Sequence, residues 1–206
     1  MTQSFGNDRS RLSVAQEAAR IMADHGISDF HAAKRKAALR LGLDRQGTLP
    51  SNTEVEAALI EHHRLYSEQD HIESLRRRRE SALALMLELE VYEPRLVGPV
   101  LAGTASEDAP VNMHVFSDSA EDVAWYLDGQ GIDYRLFERR LQIQRGRSQS
   151  YPGYRFDWQG LGFEITVFAY DGLRQAPLSP VDGKPMPRAA IKKVRKLLAT
   201  TDAAEV

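Results

Sequence analysis

Few residues of this 206-residue chain have the type and spacing that chemistry requires. In VNMHVF, residues 111–116, side chains alternate about a strand, so Asn112 and His114 fall on one face as an amide oxygen and an imidazole. Glu107 and Asp108 lie just before that strand, where a loop can swing carboxylates inward; an imidazole partner suits zinc or manganese better than magnesium. Their plainer reading is a pair of solvated loop acids and a hydrogen-bonded structural histidine. Arg174 and Gln175 sit in a proline-rich segment, and a guanidinium is the natural bidentate partner of a phosphate. His62, His63 and His71 invite a metal reading. Adjacent helical histidines point in different directions, however, and no HExxH motif is present, so they read as structural or surface groups. Trp125, Tyr126, Trp158 and Tyr170 read as core aromatics before they read as a base-stacking set. GxSxG, GxxxxGK[ST] and GxGxxG patterns are absent, and with no cysteine there is no thiolate nucleophile, disulfide or cysteine-ligated zinc.

The elements that must position these groups follow from periodicity. Leu12, Ala15, Ala19 and Met22 form one helical stripe that Gly26 ends, and Ser28 is placed to cap a second helix carrying Lys34, Arg35, Lys36 and Arg40 on its exposed face. After a turn near Gly47 and Pro50, Ser51 and Glu54 have capping-box spacing for a third helix ending near Tyr66. A longer helix over residues 70–90 turns Ile72, Leu75, Leu83, Met86 and Leu87 inward, and its Arg76–Arg79 run reads as a solvated face. From Pro94 the pattern changes. An extended stretch over 95–101, a strand over 111–116 and a helix from Ser119 to Gly131 are followed by strands near 132–137 and 141–144. A hairpin then turns at Gln159-Gly160, a draped loop covers 171–187, and a helix over 189–198 leaves a frayed end from Thr200.

The stretch LVGPVLAGTASEDAPVNMHVF, residues 96–116, resembles the signature of the nucleotidyltransferase superfamily, to which DNA polymerase beta belongs. That signature is a Gly-Ser turn, a second glycine, Asp-x-Asp on a strand and a third carboxylate from a later strand. More broadly, AKRKAALRLG, LPSNTEVEAAL and DGLRQAPLSPVDGKPMPRA resemble an uncharacterised bacterial group labelled nucleotidyltransferase. The periodicity gives an α+β fold, with a helical region over 1–66, a mixed sheet flanked by helices over 67–199 and a tail over 200–206, and the resemblance implies that the sheet is nucleotidyltransferase-like. The resemblance places Gly98, Gly103, Thr104 and Arg174 at phosphates, and Asn112 and Glu164 at catalytic metal-binding positions with His114 beside them. Magnesium requires hard, charged oxygens, and Mg2+ or Mn2+ is the implied cofactor. The chain departs from the pattern, with Pro110 and Asn112 where two aspartates stand and Pro99 in place of the serine. The expectation is therefore a weakly active or noncatalytic protein that holds a nucleotide, nucleic acid or protein partner. The alternative is an active enzyme moving a nucleoside monophosphate from a nucleoside triphosphate.

Composition sets the remaining bounds. At 42% hydrophobic and 27% charged residues the chain has ordinary globular composition, and a net charge of −2 argues against a protein wrapped end to end on nucleic acid. Local basic helices remain candidates for binding it. No apolar run approaches the roughly 18 residues that a membrane helix needs, so no membrane partner and a cytoplasmic location are expected.

Overall fold

The computed structural model describes residues 2–27, 29–43, 49–66 and 68–202. Ser28, Gly47 and residues 203–206 lie outside these, so the expectations for them are not taken further. Among the described residues the fold is α+β, with seven α-helices and one five-stranded mixed sheet. The chain divides into two compact units: Met1–Ile72 with Ser106–Asp108 and Pro180–Asp182, and Glu73–Ala105 with Ala109–Ser179 and Gly183–Val206. No helix among the described residues is long and apolar enough to cross a membrane.

The first unit is built on α1 (Thr2–His25), α2 (Phe30–Arg40) and α3 (Asn52–Tyr66). Its core is alanine-rich: Ala15, Ala18 and Ala19 meet Ala33, Ala37, Val55 and Leu59, side chains small enough for helices to approach closely. Gly26 takes a φ of +61°, the left-handed conformation that ends α1, and Asp29 caps α2 by accepting from the N–H groups of His31 and Ala32. The expected capping box of α3 is formed in both directions. The Ser51 N–H donates to Glu54 Oε2 at 2.7 Å and the Glu54 N–H donates to Ser51 Oγ at 3.2 Å. Helix α4 (Glu68–Glu88) passes from this unit into the next.

In the second unit, α4 leads through a 3-10 turn (Glu90–Tyr92) to β1 (Arg95–Val97), α5 (Gly98–Ala102), β2 (Val111–Phe116) and α6 (Ala120–Gly129). Strands β3 (Tyr134–Gln144), β4 (Arg147–Trp158) and β5 (Leu161–Phe168) follow, then a second 3-10 turn (Tyr170–Leu173) and α7 (Ile191–Asp202). The strand order is β1-β2-β5-β4-β3; β2 and β5 run parallel and every other pair is antiparallel. Alternation sorts the two faces. Val111, Met113, Val115, Phe163, Ile165 and Val167 are buried on one side with Leu85 and Met86 of α4, Leu89 just after it, Leu127 of α6 and Val194 of α7. The opposite face carries Asn112, His114 and Glu164.

Several expectations need correction. The segment 95–101 is extended only to Val97; Pro99, with its fixed φ, suits the first turn of a short helix. The strands expected at 132–137 and 141–144 are one strand, β3, paired with β4 across a two-residue turn, Arg145-Gly146, in which Gly146 takes a φ of +75°. The Arg76–Arg79 run is not a solvated face throughout, because Arg78 is buried and donates to the Ala109 carbonyl, while Arg79 donates to the carbonyls of Val100 and Leu101 at the end of α5. Those carbonyls have no partner within the helix, and a guanidinium satisfies them. Lastly, Trp125 is 70% exposed and not a core residue, and α7 continues to Asp202 where fraying was expected from Thr200.

Candidate functional site

Asn112 and Glu164 are direct partners in the parallel pairing of β2 with β5, and His114 lies one step further along opposite Thr166. The three expected groups therefore share one face of the sheet. The face is covered: His114 is 1% exposed and Glu164 7%, and Phe116, Thr166 and Phe168 beside them are also buried.

Arginines do the covering. Arg139 of β3 donates from one terminal nitrogen to Asn112 Oδ1 at 2.8 Å and from the other to Glu164 Oε2. Arg155 of β4 donates from Nε to Glu164 Oε1 at 2.7 Å, and its terminal nitrogen pairs with the same oxygen at 2.5 Å. Both guanidinium groups stand over the Phe137 ring, at 5.2 and 5.7 Å from its centroid. Each oxygen that the resemblance offers to a metal is thus held by a guanidinium.

Arg139 lies four residues further along β3 than Arg135, the residue in line with Arg155 and Glu164, so the hairpin has to bend over the sheet for it to reach. Gly153 permits that bend. A Cβ there would fall 2.6 Å from the Ile165 carbonyl oxygen and would strike the Phe137 ring, which lies where the side chain would be. Tyr151 packs on Phe168 with ring centroids 4.3 Å apart, fastening the same fold-over.

The far end of the face is closed by Arg188, delivered by the end of the proline-rich segment. Its Nε donates to His114 Nδ1 at 3.1 Å, one terminal nitrogen donates to the Gly172 carbonyl at 2.6 Å, and its guanidinium lies over the rings of Phe116 and Phe168. Accepting at Nδ1 requires neutral imidazole with its proton on Nε2. Burial, reinforced by the positive charges of Arg188 and Arg139, holds the His114 pKa well below its ordinary value, consistent with that state. Burial also lowers Arg188 to about 10, with the nearby Arg95 contributing.

The remaining expected residues are placed differently. Gly98 has a φ of +70°, and a Cβ there would sit 3.5 Å from the Asn112 Cβ, so this turn packs directly against the strand. The N–H groups of Gly103 and Thr104 both donate to the Pro99 carbonyl, at 2.8 and 2.9 Å, closing the end of α5 instead of pointing at a phosphate. Arg174 is exposed at the end of the second 3-10 turn and makes no bond to Asn112, His114 or Glu164. Glu107 and Asp108 group with the first unit. In that unit His63 is buried and stacked on His71 with centroids 3.8 Å apart, and burial lowers its pKa to about 4.

The donor set does not fit Mg2+ or Mn2+. One carboxylate and one amide fall short of the charge these ions require, both are bonded to guanidinium, and the imidazole nitrogen facing Arg188 is already accepting. Among the described residues no group of three or more His, Asp or Glu is close enough to hold a metal. Sequence reasoning missed Arg139, Arg155 and Arg188. The available signal was the density of arginine in YRLFERRLQIQRGRSQSYPGYRF, on strands that also carry alternating aromatics. Compared with family models, curated proteins and solved structures, the chain shows no significant match to any of the three.

Proposed function

We propose that this chain is a noncatalytic member of the nucleotidyltransferase superfamily, in which arginine has taken the place of the metal and the second unit binds the phosphates of a nucleotide through guanidinium groups. The observation that carries the reading is the bridge from Arg139 to both Asn112 and Glu164, the two positions at which the resemblance expects metal ligands. A guanidinium supplies fixed positive charge and directed N–H donors, so it recognises phosphate, but it cannot activate a bound hydroxyl as a divalent cation does. Arg135 is exposed at the margin of the same face, directly opposite Arg155, whose Nε and one terminal nitrogen are held by Glu164; Arg135 and the other terminal nitrogen of Arg155 together offer a grip for a polyphosphate. Calorimetry with nucleoside triphosphates tests this. Binding is expected with and without magnesium and should weaken about tenfold in Arg135→Ala, one lost charge-assisted contact being worth roughly 1.5 kcal/mol. Binding that appears only with magnesium would overturn it.

A second reading, metal-dependent transfer of a nucleoside monophosphate to an acceptor, has one observation in its favour: Asn112 and Glu164 face each other in register on adjacent parallel strands. It requires Arg139 to withdraw. Robust turnover of a nucleoside triphosphate with magnesium, lost in Glu164→Gln, would select it.

A further inference from the structure

Beyond Pro152 the hairpin leaves the sheet. Strand β4 pairs with β5 only from Gly153 onward, whereas its pairing with β3 continues from Glu138↔Pro152 to Gln144↔Arg147. The result is a two-stranded ribbon of about seven residue levels, roughly 20 Å long at the usual rise per residue. From Arg139 to Tyr151 it contains four arginines, three glutamines and two serines, and no acidic residue. Arg139 is committed to Glu164; Arg140, Arg145 and Arg147 are exposed, and none forms a salt bridge with a described residue. The chain as a whole is net negative, so this concentration of cation is local to the ribbon.

Charge of either sign on an edge strand guards against edge-to-edge pairing. A guard needs neither a single sign nor the glutamines. Arginine and glutamine are instead the side chains that reach guanine and adenine edges in the major groove, and arginine neutralises phosphates. The groove of B-form DNA, about 12 Å wide, admits a two-stranded ribbon, whereas the deep, narrow major groove of an RNA duplex does not. Few aromatics are available to stack unpaired bases, since Tyr151 is already packed on Phe168. We infer that the β3–β4 ribbon is a docking element for duplex DNA, with Arg140, Arg145 and Arg147 contacting phosphates and Gln142, which shares a ribbon face with Arg140, turned to the groove.

Helix α2, the basic element favoured on sequence, is less suited. Lys34 donates to the Pro50 carbonyl and to Asn52 Oδ1, and Arg40 pairs with Glu17, so two of its four cations are spent within the unit.

The inference is independent of nucleotide binding on the sheet face, because the three ribbon arginines make no contact there. Fluorescence anisotropy of a labelled duplex of roughly 20 base pairs, titrated with the full chain across a salt series, tests it. Binding at low salt is expected to weaken with a log–log slope near −3, about 0.9 per phosphate contact for three arginines. The triple variant Arg140→Ala, Arg145→Ala, Arg147→Ala should bind at least about tenfold more weakly and with a flatter slope, while the lysine triple variant keeps the slope. Should the alanine variant fail to fold, Arg145→Ala alone, in the turn, is expected to lower the slope by about one. No binding at low salt, equal binding by the alanine variant, or tighter binding of the single strand would overturn the inference.

Discussion

At the scale of the residue, one side chain decides what the sheet face can do. Arg139 contributes both terminal nitrogens to Asn112 of β2 and Glu164 of β5, the two groups that the resemblance offers to a metal. Removing it leaves Glu164, which is buried, with Arg155 as its one ionic partner. Arg139→Ala is therefore expected to lower stability by about 1–3 kcal/mol in denaturant unfolding, less than the loss of a sole partner would cost. His114 makes a prediction with a sign. Its folded pKa is depressed, so between the ordinary value near 6.5 and the lower folded value the unfolded chain binds more protons. Its contribution is then fully present above about pH 6.5 and is lost as pH falls below it. His63 titrates in the same direction, down to about 4. Thermal melts from pH 7.5 to 5 should thus show a downward slope that His114→Gln, which keeps an acceptor for Arg188, makes shallower; an unchanged slope would remove His114 from the account. Neither residue's role was legible in full. Asn112, His114 and Glu164 were found by alternation and resemblance, but their partners come from β3, β4 and the segment before α7, up to 74 positions away in sequence. Nothing local in a sequence marks which arginine will cross that distance.

At the scale of the element, what could be read was what local chemistry dictates. The capping box at Ser51, the glycine end of α1 and the Gln159-Gly160 turn each depend on a few adjacent residues. In that turn both residues have positive φ, 52° and 72°, the arrangement that matches the twist of a hairpin. The Arg145-Gly146 turn escaped because arginine is not one of the residues that announce a hairpin, and the strands beside it are rich in charge. The Arg76–Arg79 run misled for a related reason: charge usually marks a solvated face, but the unpaired carbonyls of α5 and the loop carbonyl of Ala109 draw two of the four guanidinium groups inside. Gly153 carries the element-scale prediction. Because a Cβ has no room between Phe137 and the Ile165 carbonyl, Gly153→Val should destabilise the second unit by about 2 kcal/mol or more. It should also release the Arg139 contact, visible as a loss of amide protection in β3. A variant as stable as the parent would mean that the bend does not depend on this glycine.

At the scale of the whole molecule, the α+β class and the helical beginning followed by a mixed sheet were readable because they rest on periodicity summed over many residues. The division into units falls at Ile72, inside α4, and the first unit also gathers 106–108 and 180–182, short segments that sequence order cannot assign to it. Charge is unevenly spread over the chain. Six of its arginines lie in 134–158 against two acidic residues there, although the net charge is −2, so composition alone would have hidden both anion-binding proposals. On the reading proposed above, arginine stands where the resemblance expects a metal. Manganese titration followed by electron paramagnetic resonance tests it without needing a substrate. The account predicts that the unaltered chain leaves Mn2+ free in solution and that Arg139→Ala combined with Asn112→Asp, which adds a carboxylate and removes its guanidinium partner, gains measurable binding. Saturable Mn2+ binding by the unaltered chain, abolished by Glu164→Gln, would contradict it.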